Sequence, residues 1–115
     1  MDVKTRKALL AEYRERPPAR GVFLVNNLVD HTGFLAAATD MPALWNRIRF
    51  QLRYGNHPNA TLQAGWNRHG EAAFTFEVVA ELRYATEGPH DVRGDLAALL
   101  ALCREENKFT GIDFL

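Results

Sequence analysis

The sequence predicts one α+β domain built from three strands and four helices. Two short apolar runs, rich in branched and aromatic residues, enclose a polar turn and predict a β-hairpin. Apolar residues then recur every three or four positions in two consecutive segments, which predicts a pair of helices. The chain has 115 residues, of which 47% are hydrophobic and 24% charged, so it can bury one core and we expect a single domain over residues 1–115.

The first predicted element is a helix in an N-terminal extension, residues 1–19. Asp2 can cap this helix, and the proline pair that starts at Pro17 ends it, because proline has no backbone N–H to continue the hydrogen-bond ladder. All later elements form the predicted core of the domain, residues 20–106.

The hairpin is expected to join a strand at residues 21–27 to a return strand at 34–38 through a turn at 30–33. Valine, leucine and phenylalanine in the first run favour the pleated backbone of a strand. Each run carries one phenylalanine, Phe23 and Phe34. We interpret them as core or cross-strand aromatic residues, which add about 0.5 to 1.5 kcal/mol beyond the burial of their area.

Two helices are predicted next. Thr39 or Asp40 can cap the first, since Pro42 follows in the first turn, and Gly55 is the natural stop after a helix that runs to about residue 54. A short polar connector leads to the second helix at residues 60–69. Gly70 follows it and ends it in the same way.

A third strand and a last helix complete the prediction. Residues 74–81 alternate between apolar and polar side chains, so we expect a strand beside the hairpin with Phe74, Phe76, Val78 and Ala80 on one side. The last helix begins at Asp91 or Asp95 and continues through the leucines up to Leu102, whose density predicts burial. Residues 107–115 show no clear period.

Charge and hydropathy limit the functional classes. No run of about 18 apolar residues predicts a membrane span, and the charged first twenty residues do not resemble a signal peptide, so we expect a cytoplasmic protein with no membrane partner. The formal net charge is zero, but residues 1–69 carry ten Lys or Arg against five Asp or Glu, and residues 70–115 carry four against nine. This asymmetry indicates either nucleic-acid contact or neutralisation of the two parts in the folded molecule.

Specific residues match a known family over residues 21–82. Gly21-Val22-Phe23 opens the first strand and Phe34-Leu35-Ala36 lies on the second, and Leu62-Gln63, Trp66-Asn67 and Phe74-x-Phe76-Glu77 follow at defined spacing. The chain resembles the GIY-YIG nuclease family, in particular its small stand-alone bacterial members. The resemblance implies a three-stranded antiparallel sheet flanked by helices, and metal-dependent hydrolysis of a phosphodiester.

The resemblance also shows where this sequence departs from the family pattern. Phe23 and Phe34 stand in place of the two tyrosines of the motifs and have no polar ring atom, so they cannot transfer protons. The family's arginine falls on Leu44, with Arg47 three residues later as a substitute. His57 matches a histidine found in some members. The metal-binding glutamate falls in the aliphatic stretch near Leu99 and Leu100, so the metal ligand is unknown.

Three functional hypotheses follow. The first is a nuclease fold with an eroded active site that binds nucleic acid, DNA in particular, and hydrolyses it weakly or not at all. Its binding residues would be Arg47, Arg49, Arg53 and Arg68, although an ordinary solvated helix face accounts for the same arginines. The second is an active Mg²⁺-dependent DNA endonuclease, with Arg47 steadying the phosphate, His57 as base or orienting group, and Asp95 or Glu77 holding the cation.

The third hypothesis is a scaffold whose aliphatic last helix or acidic C-terminal half contacts another protein, or a second copy of the chain in a homo-oligomer. This hypothesis is based on the density of aliphatic residues in the last helix, because any that the core does not bury would form an exposed apolar patch. These residues are Leu96, Leu99, Leu100 and Leu102. For His57 in particular, a hydrogen bond within its loop is the simpler interpretation than catalysis, because the sequence offers no partner carboxylate next to it.

Overall fold

The structure is a computed structural model that describes residues 19–86, 88–107 and 111–115. The predicted N-terminal helix lies outside these residues, and the division into an extension and a core stays a prediction. The elements, in chain order, are β1 (Gly21–Asn27), β2 (Thr32–Ala38), α1 (Met41–Arg53), α2 (Ala60–His69), a 3₁₀ turn (Glu71–Ala73), β3 (Phe74–Glu81), α3 (Val92–Asn107) and β4 (Asp113–Phe114). This α+β architecture confirms the predicted fold class.

The hairpin of β1 and β2 is antiparallel, and its turn lies two residues earlier than the sequence suggests. Asn27 closes the turn, because its side-chain oxygen accepts hydrogen bonds from the backbone N–H groups of Val29 (3.0 Å) and Asp30 (3.1 Å). His31 adopts a positive φ of 56°, and β2 therefore starts at Thr32. An asparagine that hydrogen-bonds to the following backbone is a common way of making such a turn.

The sheet has four strands in the order β3-β1-β2-β4, one more than predicted. β3 pairs with β1 in the antiparallel sense, as expected, whereas the two residues of β4 pair with β2 in parallel. The backbone N–H of Leu115 donates to the carbonyl of Gly33 at 2.8 Å and extends this contact. β4 can pair with β2 only because the chain turns back after α3. The sequence pattern of residues 107–115 alone therefore does not predict this strand.

A β-bulge divides β3 and corrects the predicted alternation of its side chains. Phe23 of β1 pairs with Val78, but Val22 pairs with Ala80, so one residue of β3 is left over between them. Phe76 therefore packs in the core below one face of the sheet, whereas Ala80 packs against the cluster on the opposite face. Gly21 sits beside this irregularity, where a Cβ atom would come within 2.0 Å of the carbonyl oxygen of Ala80.

The caps of α1 and α2 follow the sequence signals. Asp40 is the N-cap of α1 and accepts a hydrogen bond from the N–H of Ala43 at 3.1 Å, and Gly55 follows the helix with a left-handed φ of 75°. Asn59 caps α2 in the same way and accepts from the N–H of Leu62 at 3.0 Å. The chain direction at both ends of the 55–59 connector is therefore fixed.

Alternation along the central strands produces two cores on opposite faces of the sheet. Phe23, Val25 and Ala36 face α1 and α2, where they pack with Ile48, Leu52, Leu62 and Trp66. Val22, Leu24 and Leu35 point the other way and pack with Cys103, Leu99 and Leu100 of α3. Successive side chains of a strand point to opposite faces, so one hairpin serves both cores. We call the first side the α1–α2 face and the second the α3 face.

Within the described ranges of the chain, no helix is both long enough and apolar enough to cross a lipid bilayer.

Candidate functional site

A cleft of about 550 Å³ opens on the α1–α2 face between β2, α1 and the 55–59 connector. It brings together four of the residues that the sequence marks as site positions: Phe34, Leu44, Arg47 and His57. The remaining lining residues are Ala36, Ile48, Gln51, Pro58 and Asn59. The cleft therefore combines an apolar floor with a guanidinium, an imidazole and two amide side chains.

The two phenylalanines of the hairpin have different environments. Phe23 is fully buried and its ring centroid lies 4.9 Å from that of Phe76, so it is a core residue away from the cleft. Phe34 is half-buried and forms a wall of the cleft. The register pairs Phe23 with Ala36 and Phe34 with Val25, so the rings occupy the same face without being direct cross-strand partners. Neither ring has an atom that could take part in proton transfer.

Two neighbours hold the ring of His57. Its ring packs edge-on against Phe34, with the ring centroids 5.4 Å apart, and its Nδ1 accepts a hydrogen bond from the N–H of Asn59 at 3.0 Å. Burial lowers the pKa of His57 from its usual value of 6.5, so the ring is neutral at neutral pH. Because Nδ1 is an acceptor, the neutral ring carries its proton on Nε2. His57 thus presents a hydrogen-bond donor, as an orienting group would, and lacks the free lone pair of a general base.

Gln63 fixes the connector that carries His57. Its side chain is 9% exposed, and its Oε1 accepts the backbone N–H of His57 at 3.0 Å. Its Nε2 donates to the carbonyl of Leu52 at 3.0 Å and to Oδ1 of Asn67 at 2.9 Å. One buried amide therefore links the end of α1, the connector and α2. Sequence reasoning treated Gln63 only as a motif residue and missed this role, although a polar residue in the buried stripe next to Leu62 was the available signal.

Of the four arginines predicted to bind nucleic acid, Arg47 is the one that lines the cleft. Arg49 lies on another side of α1, with its guanidinium 5.4 Å from the ring centroid of Trp45. Arg53 forms an exposed ion pair with Glu71, with Nε at 2.9 Å and Nη2 at 2.5 Å from the same carboxylate oxygen. Arg68 is exposed on α2. The four arginines predicted to bind nucleic acid are therefore divided among several surfaces.

The acidic residues proposed as metal ligands lie on the other side of the sheet. Asp95 belongs to α3 and accepts a hydrogen bond from the hydroxyl of Tyr84 at 2.7 Å. Glu77 pairs with Leu24, whose side chain belongs to the α3 face, so Glu77 shares that face. The positions that match the family's glutamate, Leu99 and Leu100, pack in the α3-face core.

The side chains of the cleft do not fit a Mg²⁺ site. Mg²⁺ in proteins takes carboxylate oxygens, whereas none of the nine lining residues is Asp or Glu. Among residues 19–86, 88–107 and 111–115, no group of three or more His, Cys, Asp or Glu is placed to hold a metal ion. The geometry suits the binding of an anion next to an apolar wall better than the activation of water.

The helices on the two faces of the sheet differ in charge. α1 and α2 contain four arginines and no acidic residue, whereas α3 carries Asp95, Glu105 and Glu106 against Arg93 and Arg104. The asymmetry along the sequence therefore becomes an asymmetry in space for these helices. An approaching polyanion meets the α1–α2 face with less repulsion than the α3 face.

Comparison with solved structures identifies two similar folds. The catalytic domain of homing endonuclease I-TevI matches with a TM-score of 0.66 at 20% sequence identity, over 84% of this chain and 97% of that chain. A mutant of the catalytic domain of intron endonuclease I-TevI matches with a TM-score of 0.64 at 20% identity, over 76% of this chain and 82% of that one. No protein-family model and no curated protein sequence gives a significant match.

These similarities confirm that the chain has a GIY-YIG nuclease-like fold, as the sequence motifs predicted. At 20% identity they establish the fold alone.

Proposed function

We propose that the protein binds the sugar-phosphate backbone of nucleic acid, DNA in particular, in the cleft and hydrolyses it weakly or not at all. The observation that carries this proposal is the lining of the cleft. Arg47 and the Nε2–H of His57 are donors suited to phosphate oxygens, while Phe34 and Leu44 occupy the positions of polar catalytic residues in the resembled family. The similar solved structures are described as endonuclease catalytic domains, which supports nucleic acid as the ligand.

Binding would use elements that the fold already holds in place. Arg47 projects from a capped helix, and Gln63 and Asn59 fix the connector that carries His57. Arginine suits this role because its guanidinium offers several N–H donors to one phosphate. The imidazole donor is held in place by its neighbours, and the two helices on this face carry no acidic residue that would repel a polyanion.

Weak or absent hydrolysis follows from the same residues. Hydrolysis of a phosphodiester needs an activated water and a group that stabilises the charge on the leaving oxygen. His57 has its Nδ1 occupied, the cleft supplies no carboxylate, and the phenyl rings of Phe23 and Phe34 cannot exchange a proton. Arg47 alone can stabilise charge but cannot activate water.

The binding proposal is tested by charge-matched variants on the two faces of the sheet. Arg47→Gln and Arg93→Gln each remove one exposed arginine from a helix, but only Arg47 lines the cleft. Titrations of labelled DNA at several salt concentrations should show that Arg47→Gln reduces the slope of log K against log salt by about 1, the value for one phosphate contact. Arg93→Gln should leave the slope unchanged. Equal slopes for both variants, or salt-independent binding, would contradict the proposal.

The alternative is an active Mg²⁺-dependent endonuclease, and the specific observation in its favour is that Arg47 and His57 share one cleft. Incubation of supercoiled plasmid with Mg²⁺ or Mn²⁺ separates the two functions. We expect the same background nicking from the wild type and Arg47→Gln. Nicking by the wild type that disappears in the variant would replace the proposed function by the enzymatic one.

Packing within the domain accounts for most of the leucines of α3 on which the scaffold hypothesis was based. Leu96 is 6% exposed, and Leu99 and Leu100 pack in the α3-face core, so of that set only Leu102 is largely exposed, at 59%. Self-association stays a prediction, as does the cytoplasmic location expected from the sequence.

A further inference from the structure

Two aromatic side chains of α1 are exposed to solvent as a contacting pair. Phe50 is 61% exposed and Tyr54, the C-cap residue, is 69% exposed. Their ring centroids are 4.5 Å apart and the ring planes are inclined by 39°. The spacing of four residues places them next to each other along the helix. Neither ring contributes to the core, so the fold itself gives no reason for an aromatic residue at either position.

The pair adjoins the cleft through Arg47. Phe50 lies three residues and Tyr54 seven residues after Arg47, so the three side chains follow one side of α1. Arg47 lines the cleft, and the connector that starts after Tyr54 carries His57 into the same cleft. The two exposed aromatic rings therefore lie on the same side of α1 as Arg47, one of the donors proposed to hold a phosphate.

We propose that Phe50 and Tyr54 form a stacking platform for unpaired nucleobases, so that the preferred ligand is single-stranded nucleic acid. This inference rests on the proposed function, because Arg47 and His57 would hold the backbone of the same strand. A nucleobase in a duplex is stacked on its neighbours, whereas an unpaired base offers its flat face to an aromatic side chain. The cationic charge beside the rings matches a polyanion that carries such bases.

The chemistry of the pair favours bases over a protein partner. Other exposed apolar residues, namely Leu28, Val29, Val78 and Leu102, are aliphatic. The aromatic residues among the large exposed hydrophobic side chains of the described ranges are the two beside Arg47. Single-strand binding uses an arginine beside exposed rings, because the guanidinium contacts the phosphates while the rings stack on the bases.

The test compares strands that differ only in their bases. A labelled oligothymidine, an abasic strand with the same number of phosphates and a duplex of the same length are titrated with the full-length protein. We expect oligothymidine to bind at least about fivefold more tightly than the abasic strand, which corresponds to one stacked base. The affinity for the duplex, once corrected for the charge of its phosphates, should equal the affinity for the abasic strand.

Matched variants assign the effect to the rings. Phe50→Leu combined with Tyr54→Leu keeps apolar side chains at both positions, and both sites are exposed, so the fold should be retained. This double variant should lose the preference for oligothymidine while its affinity for the abasic strand stays unchanged. Leu102→Ala removes a side chain of similar exposure, 59%, from α3 on the opposite face and should change neither affinity.

Three results would overturn the platform. Equal binding of both strands by the wild type, with the salt slope that depends on Arg47 intact, contradicts the platform and leaves the proposed function in place. Absence of all salt-dependent binding contradicts the proposed function and the platform together. A dimer in light scattering that Phe50→Ala with Tyr54→Ala converts to a monomer would assign the pair to contact with a second copy of the chain.

Discussion

On one face of the sheet, α1 and α2 leave a cleft beside Phe34, whereas on the other face α3 buries Val22, Leu24 and Leu35. The same two strands supply both faces, since alternate residues point in opposite directions. The open face is lined by helices without acidic residues, and the closed face by the acidic α3. One hairpin thus serves a closed, tightly packed core on one face of the sheet and an open cleft on the other.

The largest expected effect compares packing on the two faces. Leu35 is 4% exposed in the α3-face core, so Leu35→Ala should lower the free energy of unfolding by about 2 to 5 kcal/mol. Leu44 is half-buried in the wall of the cleft, where solvent already reaches its side chain. Leu44→Ala should therefore lower the free energy of unfolding by clearly less than Leu35→Ala does. Urea denaturation of both variants measures the difference. Equal losses would show that the cleft face is packed as tightly as the α3 face.

A second comparison restores the tyrosine hydroxyl at each motif position. Phe23→Tyr places a hydroxyl among fully buried apolar side chains and should cost about 1 to 3 kcal/mol of stability. Phe34→Tyr should change stability by less than about 0.5 kcal/mol, since the half-exposed ring borders the cleft. Thermal or urea unfolding provides the measurement. A destabilising Phe34→Tyr with a neutral Phe23→Tyr would reverse the assignment of core and cleft wall.

Part of the fold and of the candidate site could be predicted from the sequence. The grouping of Phe34, Leu44, Arg47 and His57 came from the family resemblance, whereas the hairpin and the capped helices were foreseeable because turn and capping signals are local. The fourth strand and the bulge in β3 were not, because both depend on how distant segments pair. The hydrogen bonds of Gln63 were also missed, since periodicity cannot distinguish a buried amide with partners from one on the surface.

The third prediction concerns Gln63, whose hydrogen bonds hold the connector that carries His57. Gln63→Leu keeps the volume of the side chain but removes its hydrogen bonds to the backbone of His57 and Leu52. We expect a loss of about 1 to 3 kcal/mol in stability, from net contributions of about 0.5 to 1.5 kcal/mol for each of these two hydrogen bonds. Affinity for nucleic acid should also fall, because the connector loses its fixed position. An unfolding curve and a salt titration read the two effects separately, and unchanged affinity would remove Gln63 from the account of the site.

The smallest expected effect is the pH dependence that His57 contributes. Burial lowers its pKa in the folded protein below the usual 6.5, so the unfolded chain binds this proton more readily. The neutral ring of His57 therefore makes its full contribution to the stability of the fold above about pH 6.5. This contribution declines as the pH falls through the lowered pKa. His57→Asn keeps an acceptor for the N–H of Asn59 but does not titrate. The wild type should lose more stability than this variant between pH 7.5 and 5, and parallel losses would contradict the assigned shift.

An NMR titration of the isotope-labelled protein with a short single-stranded oligonucleotide shows whether the cleft binds nucleic acid. Backbone amide chemical shifts should change on α1 and the 55–59 connector, including those of Arg47, Gln51 and His57, while the amides of α3 stay unchanged. Changes concentrated on α3, or no changes at a salt concentration near physiological, would show that the cleft is not the binding site.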